Sequence, residues 1–147
     1  MNIAIIAQNR KKELAVQFCI AYCGILSQHD LCATGTTGKL ITEATGLKVD
    51  CLLPGVSGGD EQIAARAAYN ELDLVLIFRD PLDKYTADSD FTNLQRLCDM
   101  NSIPFATNVA TAEVLVQGLM RGDLAWRDIV NPKNKKYHAP GGASGQS

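Results

Sequence analysis

The sequence predicts an α/β fold, a single-domain doubly wound three-layer sandwich around a mainly parallel five-stranded sheet. Short apolar, β-branched runs alternate with longer segments of helical period, the order expected of β-α-β units. The runs are continuously apolar rather than alternating, so both faces of the sheet should be covered. A chain of 147 residues, 46% of them apolar, can bury one sizeable core, and no internal repeat divides it.

Strands are predicted at residues 2–7 (NIAIIA), 31–34 (LCAT), 49–53 (VDCLL), 72–78 (LDLVLIF) and 103–107 (IPFAT). The first helix is expected over 11–26, where Leu14, Phe18, Tyr22 and Ile25 recur at three-to-four spacing. A second opens near Thr37 and stops at Gly46, and a third follows Asp60 through the alanine-rich EQIAARAAYNEL. Helices at 90–100 and 110–121 complete the set. DLAWRDIV reads as a last short strand, and the closing HAPGGASGQS has the composition of a disordered tail. Residues 1–131 are therefore assigned to the domain and 132–147 to a flexible C-terminal tail.

Charge and cysteine usage exclude several function classes. With 14 Lys+Arg against 16 Asp+Glu the net charge is -2, and no basic footprint supports counterion release on nucleic acid. No apolar run approaches the roughly 18 residues of a membrane span, and NIAII lacks a charged leader and cleavage site, so no membrane partner is expected and a cytoplasmic location is. Five cysteines, an odd number scattered through apolar stretches, read as reduced core thiols. Cys19 and Cys23 have no second pair, and with only two histidines in the chain no metal site is expected.

In a parallel sheet the ligand crevice lies beyond the carboxyl ends of the strands, so the turns leaving each strand carry the chemistry. Strand one runs into Gln8-Asn9-Arg10-Lys11-Lys12, strand two into Gly35-Thr36-Thr37-Gly38 and strand three into Pro54-Gly55-Val56-Ser57-Gly58-Gly59-Asp60. Strand four ends at Arg79-Asp80-Pro81 and strand five at Asn108. The run Thr34-Gly35-Thr36-Thr37-Gly38 suits an anion cradle of backbone N–H groups and hydroxyls, or equally a helix capped by Thr36 or Thr37. It lacks the spacing of a Walker loop. Lys12 suits a point charge over the same site, or a solvated surface lysine beside Arg10 and Lys11. Asp60 follows three glycines and reads either as a general base or as an N-cap, and the adjacent helix end favours its ionised form. Asp80 precedes a proline at the end of the most apolar strand, where turn formation and a place in the crevice both account for it. Asp88 and Asp90 read as caps of the fourth helix, or with Asp60 and Asp80 as an acidic cluster.

The order of motifs resembles the methylglyoxal synthase family: ATGTTGKLI at 33–41, GGDEQ at 58–62, DPL at 80–82, DSD at 88–90 and IPFATNVATA at 103–112. The match runs from about residue 2 to 116 with the mutual spacing kept. The resemblance implies conversion of dihydroxyacetone phosphate to methylglyoxal and inorganic phosphate, without a metal or organic cofactor, in a homohexamer. It further implies Asp60 as the base beside the substrate carbonyl, with Asp80 and Asp90 completing the acidic group. The substrate and its phosphate would be held by Lys12, Thr34, Gly35, Thr36 and Thr37, with Gly55 giving a backbone contact and Gln8, Pro54 and Ala87 at the remaining family positions.

Five positions depart from the family's pattern. Gln8 and Asn9 stand where a histidine and an aspartate are usual, and Ala87 where a second histidine would polarise the carbonyl. Arg79 replaces a residue that is commonly aromatic, and Pro54 a serine. Loss of one preorganised oxyanion donor costs on the order of 100- to 1,000-fold in rate, so Arg79 and Gln8 become the candidate replacements in the crevice. His29 and His138 offer no ready substitute, unless His138 comes from a neighbouring subunit. An active synthase ranks first, a lyase or isomerase acting on another small phosphorylated compound second, and a non-catalytic phosphometabolite binder last. A pure binder has no use for carboxylates that repel its ligand.

Overall fold

The computed structural model describes residues 1–83 and 88–130, with backbone alone at 56 and 88–90. Five strands, β1 (Asn2–Ala7), β2 (Asp30–Thr34), β3 (Val49–Leu52), β4 (Leu74–Phe78) and β5 (Phe105–Ala106), form one sheet in the order β3-β2-β1-β4-β5. Every pairing is parallel.

Alternate side chains of each strand enter separate cores. Ile3, Ile5, Leu31, Ala33, Leu74, Leu76 and Phe78 pack on one face, under α1 (Lys12–Ala21), α3 (Gly35–Thr45) and α6 (Val109–Arg121). Ala4, Ile6, Cys32, Val75 and Ile77 pack on the other, under α4 (Gly59–Ala68) and α5 (Asp88–Met100). The predicted three-layer, doubly wound architecture is present, and the continuous apolar runs of β1 and β4 reflect this two-sided burial.

Element ends differ from the sequence reading for local reasons. The helix expected over 11–26 divides at Tyr22 (φ -109°, ψ 22°), giving α1 and a short α2 (Cys23–Leu26). A 3-10 turn (Asn9–Lys11) precedes α1. The second helix opens earlier than expected, at Gly35, and closes where predicted, with Gly46 left-handed at φ 75°. The fourth strand starts only at Leu74; just before it, the Leu72 carbonyl and the Asp73 carboxylate accept from Arg127. The fifth shrinks to two residues, since Pro104 has no N–H to offer and contributes its carbonyl to Val75 N at 3.0 Å.

Two expectations are corrected. DLAWRDIV forms no strand: Trp126–Val130 is a helix, α7, placed by the buried Leu124 and Arg127 three positions apart. The cysteines are not all core thiols either. Cys19, Cys32 and Cys98 are buried, and burial raises their pKa values to about 12, 11 and 12, whereas Cys51 is exposed on the edge strand β3. The tail assigned to 132–147 lies outside the described residues. No helix among the described residues is long and apolar enough to cross a membrane.

Candidate active site

The sheet reverses its winding between β1 and β4, and the crevice of such a fold opens there, beyond the strands' carboxyl ends. Gln8 continues the pairing past β1, its N–H donating to Phe78 O at 3.1 Å, while its side-chain Oε1 accepts from Asp80 N. One amide thus bridges the two strand ends.

The start of α3 has the geometry expected of an anion cradle. Thr34 occupies the N-cap position in extended conformation without a side-chain cap bond, so neither Thr36 nor Thr37 caps the helix. Gly35 N donates to Leu53 O at 3.3 Å, and the N–H groups that follow belong to the unsatisfied first turn, where the helix dipole is positive. Thr37 is fully buried, and its Oγ1 accepts from Lys12 Nζ at 2.9 Å. The same ammonium donates to Ala7 O at 2.9 Å. Lys12 is therefore a fixed charge over the cradle rather than a solvated surface lysine. Burial lowers its pKa from the usual lysine value, and the negative charge of Asp60 works in the opposite direction.

Asp60 lies in the first turn of α4, two residues beyond the N-cap Gly58, so it is not the cap of its helix. Glycines determine where its carboxylate stands. A Cβ on Gly59 would fall 2.0 Å from Leu53 O and 3.0 Å from Thr34 Cγ2, so only glycine lets the α4 start approach β3 and the cradle. A Cβ on Gly55 would meet Asp60 Oδ1 at 3.3 Å and Oδ2 at 3.4 Å, which puts the carboxylate against the Gly55 backbone. Gly58 takes a φ of 111°, open to glycine alone without strain. Gln62 holds the loop from the other side, accepting from Leu53 N at 2.8 Å. Pro54 is exposed, and its carbonyl accepts from Ser57 N and Gly59 N.

Asp80 is buried, and its Oδ1 accepts from Leu82 N at 3.0 Å, so this carboxylate forms the turn that sequence reasoning weighed for it. The turn still lies at the crevice, through Gln8. Arg79 is half-buried at the end of β4. Ala87 and His138 fall outside the described residues, as does the side chain of Asp90, whose backbone is in the first turn of α5. His29 lies at the opposite end of the sheet, where the Met1 ammonium donates to its Nδ1 at 3.1 Å and burial lowers its pKa.

Two concavities, about 320 and 630 Å³, open at the strands' amino ends around Asn2, His29 and Asp30. Neither is lined by residues of the cradle, and the Arg66 of the larger one is already paired with Asp50 at 2.9 Å. Charge distribution thus favours the crevice at the carboxyl ends, where a helix start, a lysine and carboxylates converge.

Comparison with known proteins places the chain in a family. An MGS-like domain model matches residues 15–107. The chain is 60% identical to the methylglyoxal synthase of Caldicellulosiruptor saccharolyticus over 136 residues, covering 92% of this chain and 96% of that one. The chain belongs to the methylglyoxal synthase family. The methylglyoxal synthase of Oceanobacillus iheyensis is 48% identical over 140 residues, covering 95% of this chain and all of the relative. Among solved structures, methylglyoxal synthase from Elizabethkingia anophelis superposes with a TM-score of 0.71 at 34% identity, covering 78% of this chain and 76% of that one.

Sequence reasoning missed two members of the family fold as it occurs here. Gln62 was read as part of a helix and of the GGDEQ motif but given no role, though it fixes the loop before Asp60. The buried pair of Asp73 and Arg127 was also missed. Its only signal was an acid and a base each placed inside an apolar run.

Proposed function

We propose that this protein converts dihydroxyacetone phosphate to methylglyoxal and inorganic phosphate, with Asp60 as base. The phosphate sits in the α3 start, receiving hydrogen bonds from backbone N–H groups and the hydroxyls of Thr36 and Thr37 and facing the Lys12 charge. Thr34 and Gly35 shape the cradle, and Gly55 offers backbone to the substrate beside Asp60. Asp60 removes a proton from the hydroxymethyl carbon next to the carbonyl. The electron pair forms an enediolate, the carbon–oxygen bond to phosphate breaks, and the resulting enol takes a proton on carbon to give methylglyoxal. Atoms balance without added water or electrons.

One observation carries this reading: Lys12 Nζ is bonded to Thr37 Oγ1 at 2.9 Å while sensing the charge of Asp60, so the anion cradle and the base share one ammonium. A phosphate binder alone gains nothing from a carboxylate there. Asp80 positions the crevice through its turn, and by the family pattern Asp90 belongs to the acidic group and Pro54 and Ala87 to the remaining substrate positions. A homohexamer in the cytoplasm accompanies this function. The exposed Val114 and Met120 on α6 and Trp126, Ile129 and Val130 on α7 support assembly.

Incubating purified protein with dihydroxyacetone phosphate should release phosphate and methylglyoxal in equal amounts. Phosphate without methylglyoxal, or neither product, would reject the proposed reaction.

A further inference from the structure

Abstracting a proton beside a carbonyl places negative charge on the carbonyl oxygen, and the reaction needs a donor aimed at that oxygen. The donors of the crevice are unequally available. Two of the three Lys12 ammonium protons already go to Ala7 O and Thr37 Oγ1, and this charge stands over the phosphate cradle. Gln8 is different. Its Oε1 accepts the Asp80 backbone N–H. A backbone N–H can only donate, so this contact fixes which end of the amide is oxygen and which is nitrogen. Among the described residues Nε2 carries no hydrogen bond to protein, and the side chain is half-buried at the point where the sheet reverses its winding. Lys12 Nζ is bonded to the carbonyl of the residue immediately before Gln8, so amide and ammonium flank the same stretch of backbone.

We infer that Gln8 is the neutral electrophile of this site, its Nε2 amide donating to the substrate's carbonyl oxygen and to the enediolate oxygen that develops there. This rests on the proposed reaction and adds a catalytic residue to it. Asp80 acts as the positioning residue. Its turn, closed by Leu82 N on Oδ1, presents the backbone N–H that orients the amide. An amide does not titrate near neutral pH. Turnover should therefore lack the pH limb that an imidazole donor imposes near its unperturbed value of about 6.5.

Steady-state kinetics on dihydroxyacetone phosphate test the inference with three variants. Gln8→Met removes the donor without adding charge, and Gln8→Glu keeps the acceptor for Asp80 N–H while replacing the NH2 group. Both should lower kcat on the order of 100- to 1,000-fold. For Gln8→Met, KM and the phosphate-induced rise in melting midpoint should stay within about threefold of wild type. Gln8→His should recover part of the lost kcat and acquire a new pH limb near the imidazole value. The melting midpoint of each variant separates loss of chemistry from loss of fold. If Gln8→Met unfolds, Gln8→Glu carries the comparison, since it keeps the contact that orders the turn. Wild-type turnover with kcat of the folded variants within about threefold of it would overturn the role of Gln8 and leave the reaction standing. No wild-type turnover would overturn the reaction itself and this role with it.

Discussion

Single residues decide the chemistry, because a displacement of about an ångström in the site is enough to lower turnover. Gly59 has no room for a methyl group against Leu53 O, so Gly59→Ala must displace the start of α4 and Asp60 with it. A misplacement of that size should lower kcat/KM on the order of 100-fold, measured on protein whose circular dichroism shows the fold retained. Thr37→Val keeps the shape of a buried side chain and removes the acceptor of Lys12. Inorganic phosphate should then no longer raise the melting midpoint, whereas an unchanged phosphate response would place the cradle elsewhere. Lys12 adds a pH dependence with a definite sign. Its folded pKa lies below the usual lysine value of 10.5, chiefly through burial, so the folded state sheds this proton before the unfolded chain does. The penalty for burying the ammonium is relieved as pH rises through that lowered value toward 10.5, so the ligand-free contribution to stability increases over the same window in which phosphate affinity falls. Melting curves with and without phosphate across alkaline pH read both limbs, and parallel curves would contradict the placement of Lys12.

At the scale of elements, periodicity and turn chemistry made most of the fold legible. Continuous apolar runs identified β1 and β4, and glycine at 46 marked the end of α3, because each reports a local physical requirement. The crevice residues Lys12, Thr37, Asp60 and Gln8 were legible for the same reason, since they leave strand ends where a parallel sheet exposes ligand. What escaped was long-range. Arg127 donates to Asp73 Oδ1 at 3.0 Å, Ser102 O at 2.6 Å, and Asn70 Oδ1 and Leu72 O at 3.0 Å each. Asp73 Oδ2 meanwhile accepts from Asn2 N at 2.9 Å. This network turns DLAWRDIV from the expected strand into α7, and no local period encodes partners 25 to 57 positions away. Arg127→Met should leave the Asp73 carboxylate buried without its cation and cost about 3–5 kcal/mol, read as a fall in urea midpoint. The native fraction should still respond to phosphate, since the network lies at the opposite end of the sheet. A loss below about 1 kcal/mol would show that α7 does not depend on the pair.

The whole molecule separates two tasks between the ends of one sheet. The amino ends hold the buried ion pair of Asp73 and Arg127, and the carboxyl ends hold the α3 start, the Lys12 ammonium, the Gln8 amide and the Asp60 carboxylate. If the apolar residues on α6 and α7 bury themselves in a hexamer, sedimentation should give a mass six times the 15.9 kDa of the chain, and a monomer at micromolar concentration would contradict that assembly. The proposed reaction depends on Asp60 as the base beside the phosphate cradle. Turnover of dihydroxyacetone phosphate by wild type and Asp60→Asn, with the phosphate-induced melting shift measured on both, tests it most directly. The variant should lose kcat by about 100- to 10,000-fold while phosphate still raises its melting midpoint. Equal turnover by the two proteins would contradict it.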